Sequence, residues 1–288
     1  MRQRLSISFS GGRSSAVMLH LTYAREIERR PVVVTFANTG AEHPATLDFV
    51  RDVETHWNIP IVWIESEVNP IMGIGNKARV VTYETAARNG EPFEAAVAKY
   101  GVFGPAYKQC TSTLKTEPMR AYLRDVMGWD LRSYSQALGI RADEADRINF
   151  DKLESGEIIY PLVDAGYTKE MVGAYMKRQP FDLALPGDHY GNCVACWKKT
   201  DRKLYSIAQD DPSWFDLFDR LERTYSMHKR ESPATFYRKH RSAADIVREA
   251  HTLKFERYSD TRQLSMWDLM LDVGGGCGDS CEIDTDEE

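Results

Sequence analysis

Hydrophobic positions in the first half of the chain alternate between two periods. Leu5-Ser6-Ile7-Ser8-Phe9 has the period-two pattern of a strand and runs directly into Gly11-Gly12. Val17, Leu21, Ala24 and Ile27 then recur at helical spacing, which predicts an amphipathic helix. Val32-Val33-Val34-Thr35-Phe36 has the continuous apolar character of a strand buried on both faces, and Leu47, Val50, Val53 and Trp57 line one face of a second helix. Ile59–Glu65, Arg132–Arg141 and Gly156–Leu162 read as further strands, the last leading into a helix around Lys169–Arg178. Strand and helix in alternation predict an α/β fold, a doubly wound parallel sheet. Residues 66–130 interrupt it as a less regular insertion rich in Gly, Tyr and basic side chains.

After about residue 197 the strand signal fades, and Trp214, Phe215, Leu217, Phe218 and Leu221 mark mixed aromatic and charged helices. The expected organisation is an α/β domain over 1–196 with its sheet core inside 1–180, a helical C-terminal region over 197–270, and a Gly- and Cys-containing acidic tail over 271–288.

Charge changes this picture little. The 288 residues carry a formal charge of −6, but six of the 43 acids lie in residues 279–288, and without them 37 acids balance 37 bases. No apolar stretch approaches the roughly 20 residues of a membrane helix, and the N-terminus lacks a signal-peptide core. A cytoplasmic protein without membrane association is expected, its five cysteines thiols or metal ligands rather than a disulfide framework.

Ser10-Gly11-Gly12-Arg13-Ser14-Ser15 lies between the first strand and the first helix. Glycines let the backbone approach a ligand closely, a helix N-terminus favours an anion, and the serines add hydroxyl donors and Arg13 a charge. This chemistry suits a phosphate or pyrophosphate. It is neither a Walker A loop nor a dinucleotide fingerprint. A strand-to-helix turn with a serine cap is the plainer alternative.

The loop resembles the PP-loop of ATP pyrophosphatases, with Ser14 where the synthetase branch carries aspartate. Asn38-Thr39-Gly40-Ala41-Glu42 looks like the family's NTGxE segment, Cys110-Thr111-Ser112-Thr113-Leu114-Lys115 like its Cys-x-x-x-Leu-Lys segment, and Gly139-Ile140-Arg141-Ala142-Asp143-Glu144 like its GxRxxE segment. Four motifs in the family's order, over residues 5 to about 200, resemble the phosphoadenosine-phosphosulfate (PAPS) reductase and sulfurtransferase branch. The resemblance implies an adenine nucleotide alpha-hydrolase-like fold that binds ATP or a PAPS-like adenine nucleotide. It implies that Ser10, Gly11, Gly12, Arg13, Ser14 and Ser15 cradle phosphates, and that Phe36, Asn38, Thr39 and Gly40 lie at the adenine. It further implies that Lys115 and Arg141 supply catalytic charge, for which a surface salt bridge is the plainer alternative. Magnesium is expected with adenylation, on Asp143, Glu144 or Glu42.

Cys193-Val194-Ala195-Cys196 and Cys277-Gly278-Asp279-Ser280-Cys281 are close pairs and Cys110 stands alone. Four thiolates suit zinc or a 4Fe–4S cluster, and spacing does not choose between them. Gly191-Asn192-Cys193-x-x-Cys196 is similar to prophage-type members of the family. That similarity implies a 4Fe–4S cluster, with zinc as the alternative, on Cys110, Cys193, Cys196 and Cys281, or Cys277 in place of Cys281. The tail lacks the Glu-Cys-Gly-Leu-His segment of PAPS reductase, and Gln109-Cys110 replaces the Cys-Cys doublet of cluster-bearing sulfate-assimilation reductases. The expected activity is therefore an ATP-dependent adenylating sulfurtransferase acting on a nucleic acid, tRNA or DNA, with no sulfur donor named. Sulfonucleotide reduction is the second reading, and a non-catalytic nucleotide-binding module with structural zinc the third.

Two basic clusters, Lys198, Lys199, Arg202 and Lys203, then Lys229, Arg230, Arg238, Lys239 and Arg241, interleave with Tyr205, Tyr225, Phe236 and Tyr237. They fit either a nucleic-acid strand or, the favoured reading, a solvated helix surface with its aromatics turned inward. Of seven histidines, His20 reads as structural and His43 lies close to the loop.

Overall fold

The computed structural model describes residues 2–105, 107–228 and 231–259. Six strands, β1 (Arg4–Ser8), β2 (Val32–Ala37), β3 (Val62–Glu67), β4 (Lys77–Val81), β5 (Tyr134–Ala137) and β6 (Ile158–Ile159), form one sheet in the order β4-β3-β2-β1-β5-β6. All neighbours are parallel except β4, which pairs antiparallel with β3 through the register Trp63↔Val81 to Glu67↔Lys77. The chain steps outward from β1 to β2 and β3 on one side, then returns to place β5 and β6 on the other. That reversal makes the carboxyl ends of β1 and β5 a topological switch point, where open α/β sheets leave a crevice for ligands.

The helices are α1 (Arg13–Glu26), α2 (Pro44–Trp57), α3 (Glu91–Tyr100), α4 (Glu117–Asp125), α5 (Phe150–Glu154), α6 (Pro161–Asp164), α7 (Lys169–Met176), α8 (Asp201–Asp210), α9 (Asp216–Tyr225) and α10 (Ala243–Thr252). The alternation of β2 explains the layers. Val34 and Phe36 point into a core shared with α1, α2 and α7, while Val33 and Ala37 face the opposite side with Met119 and Leu123 of α4. A second core gathers Phe93 and Val97 of α3, Phe103, Leu114, Trp197, Leu204, Phe218, Phe236 and Ile246. The C-terminal helices thus pack on the insertion. No described helix is long and apolar enough to cross a membrane.

Two expectations are corrected. The insertion holds regular structure, the hairpin strand β4 and helices α3 and α4. Helix α1 keeps only part of the predicted face: Val17 is buried but Leu21, Ala24 and Ile27 are exposed, while Ser14–Leu19 is buried on every side and Thr22 and Glu26 carry the buried face of the second half. Its first turns lie between the sheet and the packed loop, so apolar spacing does not mark a single buried side there. Buried Glu26 is tolerated because Arg25 and Arg30 bind its two oxygens at 2.9 and 2.8 Å.

Candidate functional site

Residues Ser10–Ser15 close the end of β1 and open α1 at the switch point. Gly11 has φ +80, and a Cβ there would lie 2.6 Å from Cγ2 of Thr46 and 3.3 Å from the Phe36 ring. Only glycine combines that backbone with so close an approach. The Ser15 hydroxyl ties the loop together, 2.8 Å from Ser10 Oγ and donating to the Gly12 carbonyl at 2.9 Å. Gly12 occupies the N-cap and offers no side-chain acceptor, and the first turn contains no acid, so no side chain of that turn neutralises the positive dipole end at the cleft wall. Gly139, after β5, packs so tightly here that a Cβ would lie 2.7 Å from Cα of Ser15. Arg141 follows it and donates from Nη1 to Ser14 Oγ at 3.0 Å while pairing with Asp143 at 3.0 Å and Glu144 at 3.3 Å.

These residues line a cleft of about 750 Å³, within the range of small-molecule sites. Ser10, Gly11, Gly12, Arg13, Ser14 and Arg141 form one wall. Asp143, Glu144 and Asp146 supply hard oxygens, and Lys169, Lys177 and Lys203 further charge. Arg13 lines the cleft, yet its guanidinium grips Asp182 through two bonds of 2.7 and 3.1 Å and the Leu183 carbonyl at 2.7 Å.

Phe36, Asn38 and Thr39 are enclosed, at 1%, 0% and 1% exposure. Asn38 donates to Glu65 at 2.7 Å and to the Ala87 carbonyl at 2.8 Å, and its Oδ1 accepts from Gly40 N at 3.2 Å. The carboxamide therefore shapes the Thr39–Gly40 turn, and Phe36 forms the floor beneath Gly11.

That turn leads to a second pocket, small and mainly apolar, lined by Cys110, Cys193 and Cys196 with Thr39, Lys115, Asn192, Phe93, Leu114, Trp197 and Phe218. A short antiparallel bridge, Glu42 against Cys193, with Val194 N donating to the Ala41 carbonyl at 3.0 Å, holds the two-cysteine loop to the turn. Thr39 Oγ1 donates to Glu42 at 2.7 Å and lies 3.3 Å from Cys193 Sγ. Lys115 sits in a π-helical turn, Ser112–Thr116, and its buried ammonium is 3.5 Å from Glu42 Oε1. Although Cys193 keeps part of its surface exposed, dense packing and the Glu42 charge push its thiol well up, with Lys115 opposing. Lys115 thus stands on the cysteine side and Arg141 on the loop side. Glu42, expected as a magnesium ligand, is the partner of Lys115.

The three thiols surround a common pocket rather than one point. Among the described residues no group of three or more His, Cys, Asp and Glu side chains converges to hold a single ion. Trp197 lines the same pocket, and its buried indole N–H has no hydrogen-bond partner among the described residues. Cys277 and Cys281 lie outside the described residues.

Sequence reasoning missed Asn192 as a site residue. It adopts φ +58 and lines both the cleft and the cysteine pocket, so the two cavities meet at this residue. Its place next to Gly191 and Cys193 was the available signal. Asp182 and Asp188 carried none. The basic clusters are largely engaged: Arg241 pairs with Asp201 and Glu249, and Lys199 donates to the His189 and Val194 carbonyls. Tyr205, Phe236 and Tyr237 are buried. Lys229 and Arg230 lie outside the described residues.

Residues 4–179 match the phosphoadenosine phosphosulfate reductase domain. The chain is 32% identical over 286 residues to an uncharacterized nin region protein of Escherichia phage lambda, covering 96% of this chain and 94% of that protein. An uncharacterized protein of Methanocaldococcus jannaschii is 28% identical over 234 residues, which span 78% of this chain and 43% of the relative.

Proposed function

The chain belongs to the phosphoadenosine phosphosulfate reductase domain family, and from that premise we propose that it is an ATP-dependent adenylating sulfurtransferase. The observation that carries this reading is the meeting of the phosphate-loop cleft and the three-cysteine pocket at Asn192. A phosphate-binding loop alone serves many reactions. One that opens onto thiols suits activation of an oxygen followed by its replacement with sulfur.

In this scheme the Ser10–Ser15 backbone, the α1 N-terminus and Arg141 hold the nucleotide phosphates. An acceptor oxygen attacks the α-phosphorus, the bond to pyrophosphate breaks, and the adenylate forms beside Arg141. Fixed donors stabilise that charge because they need no reorganisation as it develops. Sulfur at the sulfide level then displaces AMP, so the exchange involves no net redox change. Magnesium on Asp143, Glu144 or Asp146 would neutralise the departing pyrophosphate. Cys110, Cys193 and Cys196 would hold a 4Fe–4S cluster: with Cys281 or Cys277 as a fourth ligand every iron would be capped, whereas with three ligands alone the fourth iron would be open to bind sulfide or substrate sulfur. Lys115, paired with Glu42, keeps a positive charge at the rim of the cysteine pocket. A nucleic-acid acceptor, tRNA or DNA, is the proposed substrate class. The proposed organisation keeps the boundaries 1–196, 197–270 and 271–288, and the proposed location is the cytoplasm.

Pyrophosphate release from ATP in the presence of a bulk tRNA or DNA acceptor, abolished by Ser15→Ala, tests the first half. Visible absorption and metal content after anaerobic purification test the second, and a colourless, metal-free protein ends the cluster assignment. Release of sulfite from PAPS with a thiol donor would instead select the reductase reading, which the family match favours. Nucleotide binding without turnover, with zinc bound, would select a non-catalytic module.

A further inference from the structure

The phosphate loop and the cysteine loop are far apart in sequence, and Arg13 is the side chain that ties the first to the approach of the second. It is the first residue of α1, so its backbone moves with the loop. Nε and Nη2 bind the two oxygens of Asp182 at 2.7 and 3.1 Å, Nη2 also donates to the Leu183 carbonyl at 2.7 Å, and Nη1 reaches Asp188 at 3.4 Å. Four of the five guanidinium N–H groups are thereby directed at residues 182–188. Lys169 holds the other oxygen of Asp188 at 2.8 Å.

Asp188 begins a single helical turn, Asp188–Tyr190, whose end is closed by Gly191 N donating to the Asp188 carbonyl at 3.1 Å. Asn192 and Cys193 follow directly. Lys199 then clamps the His189 and Val194 carbonyls at 2.6 and 2.8 Å, which keeps this stretch from absorbing a displacement. A shift of the loop is therefore passed along a stiff path to the residue where the cavities meet.

We infer that Arg13 is a positioning residue: a strut that sets the Asn192–Cys193 segment relative to the phosphate loop, rather than a ligand of the phosphates. This rests on the nucleotide reading of the loop. A forked, planar group is what the contact requires, because a bidentate grip on a carboxylate plus a third bond fixes orientation as well as distance, which an ammonium cannot do.

Arg13→Ala, Arg13→Lys, Asp182→Ala and the double variant Arg13→Ala/Asp182→Ala, each in the full chain, separate the roles. Amide hydrogen exchange over residues 183–196 and the Kd for ATP are measured together. A strut predicts exchange several-fold faster in all four, with the double variant no faster than either single one, and Arg13→Lys failing to rescue. It predicts Kd within about threefold of the parent, because the phosphate contacts remain. ATP slows exchange over 189–196 in the parent, and in the variants it binds but no longer slows it. The proposal is overturned if Arg13→Lys matches the parent while Arg13→Ala alone weakens ATP binding tenfold or more, or if exchange over 183–196 is unchanged. A parent that binds no ATP defeats the nucleotide reading, and with it the coupling, while the exchange pattern of the four variants still reports whether Arg13 braces the segment.

Discussion

At the residue scale the site depends on contacts too close for any side chain. A Cβ on Gly139 would sit 2.7 Å from Cα and 3.0 Å from N of Ser15, both backbone atoms that cannot yield without moving α1. Gly139→Ala is expected to cost about 1–3 kcal/mol in urea unfolding and to weaken ATP binding, whereas an overpacked site remote from the loop would lose stability alone. Lys115 and Glu42 form the opposite case, a buried pair whose members depend on each other. Lys115→Ala leaves the Glu42 charge uncompensated and should destabilise by roughly 3–5 kcal/mol, and adding Glu42→Gln should restore much of it. Additive losses in chemical denaturation would show that the pair is not coupled. The loop, Arg141, Lys115 and the three described cysteines were legible because their neighbours in sequence formed motifs. Asp182 and Asp188 were not, because ordinary acids after a helix carry no local mark of the arginine that lies 169 positions away from the first of them.

At the element scale, Glu222 of α9 organises the C-terminal part. Its two oxygens accept from Phe236 N at 2.7 Å and Ala243 N at 2.8 Å, fastening the approach to α10. The next residue, Tyr237, donates to the Ala195 carbonyl at 2.8 Å, inside the two-cysteine loop. Burial pushes the Glu222 carboxyl up to about 7, with Asp219 and Asp245 adding repulsion and the two N–H groups opposing. A carboxyl with a raised folded pKa binds its proton more tightly in the native state, so its contribution is fully present below about 4.5 and is lost as pH rises toward 7. The parent should lose on the order of 2–3 kcal/mol more than Glu222→Gln between pH 5 and 8. Parallel stability profiles would contradict this. The strands of the parallel sheet were legible from their apolar runs. Strand β4 was not, since Lys77–Val81 is mostly exposed at the sheet edge and lacks that run. The buried side of α1 was only partly legible because Ser14–Leu19 is enclosed on every side, and in the second half it is Thr22 and the ion-paired Glu26, polar residues, that turn inward.

At the scale of the whole molecule, the sheet reversal between β1 and β5 creates the cleft, and the C-terminal helices and the insertion build the cysteine pocket against it. Each cavity could be anticipated from motifs, but their junction could not, because it arises from packing between segments distant in sequence. On the proposed cluster assignment, loss of one of the three thiols removes the cluster: Cys193→Ala is expected to abolish the visible absorption and bound iron that the proposal predicts for the parent, while leaving ATP affinity near the parent value. Retained iron in that variant would contradict the assignment.

On the proposed reading the turn after β1 binds the polyphosphate of an adenine nucleotide. Titration calorimetry of ATP with the full chain and with Ser15→Ala tests it most directly. Saturable one-to-one binding to the parent, weakened at least tenfold when the Ser10–Ser15–Gly12 hydroxyl bridge is removed, is the predicted result. No heat with the parent, or equal affinity in the two proteins, would contradict it.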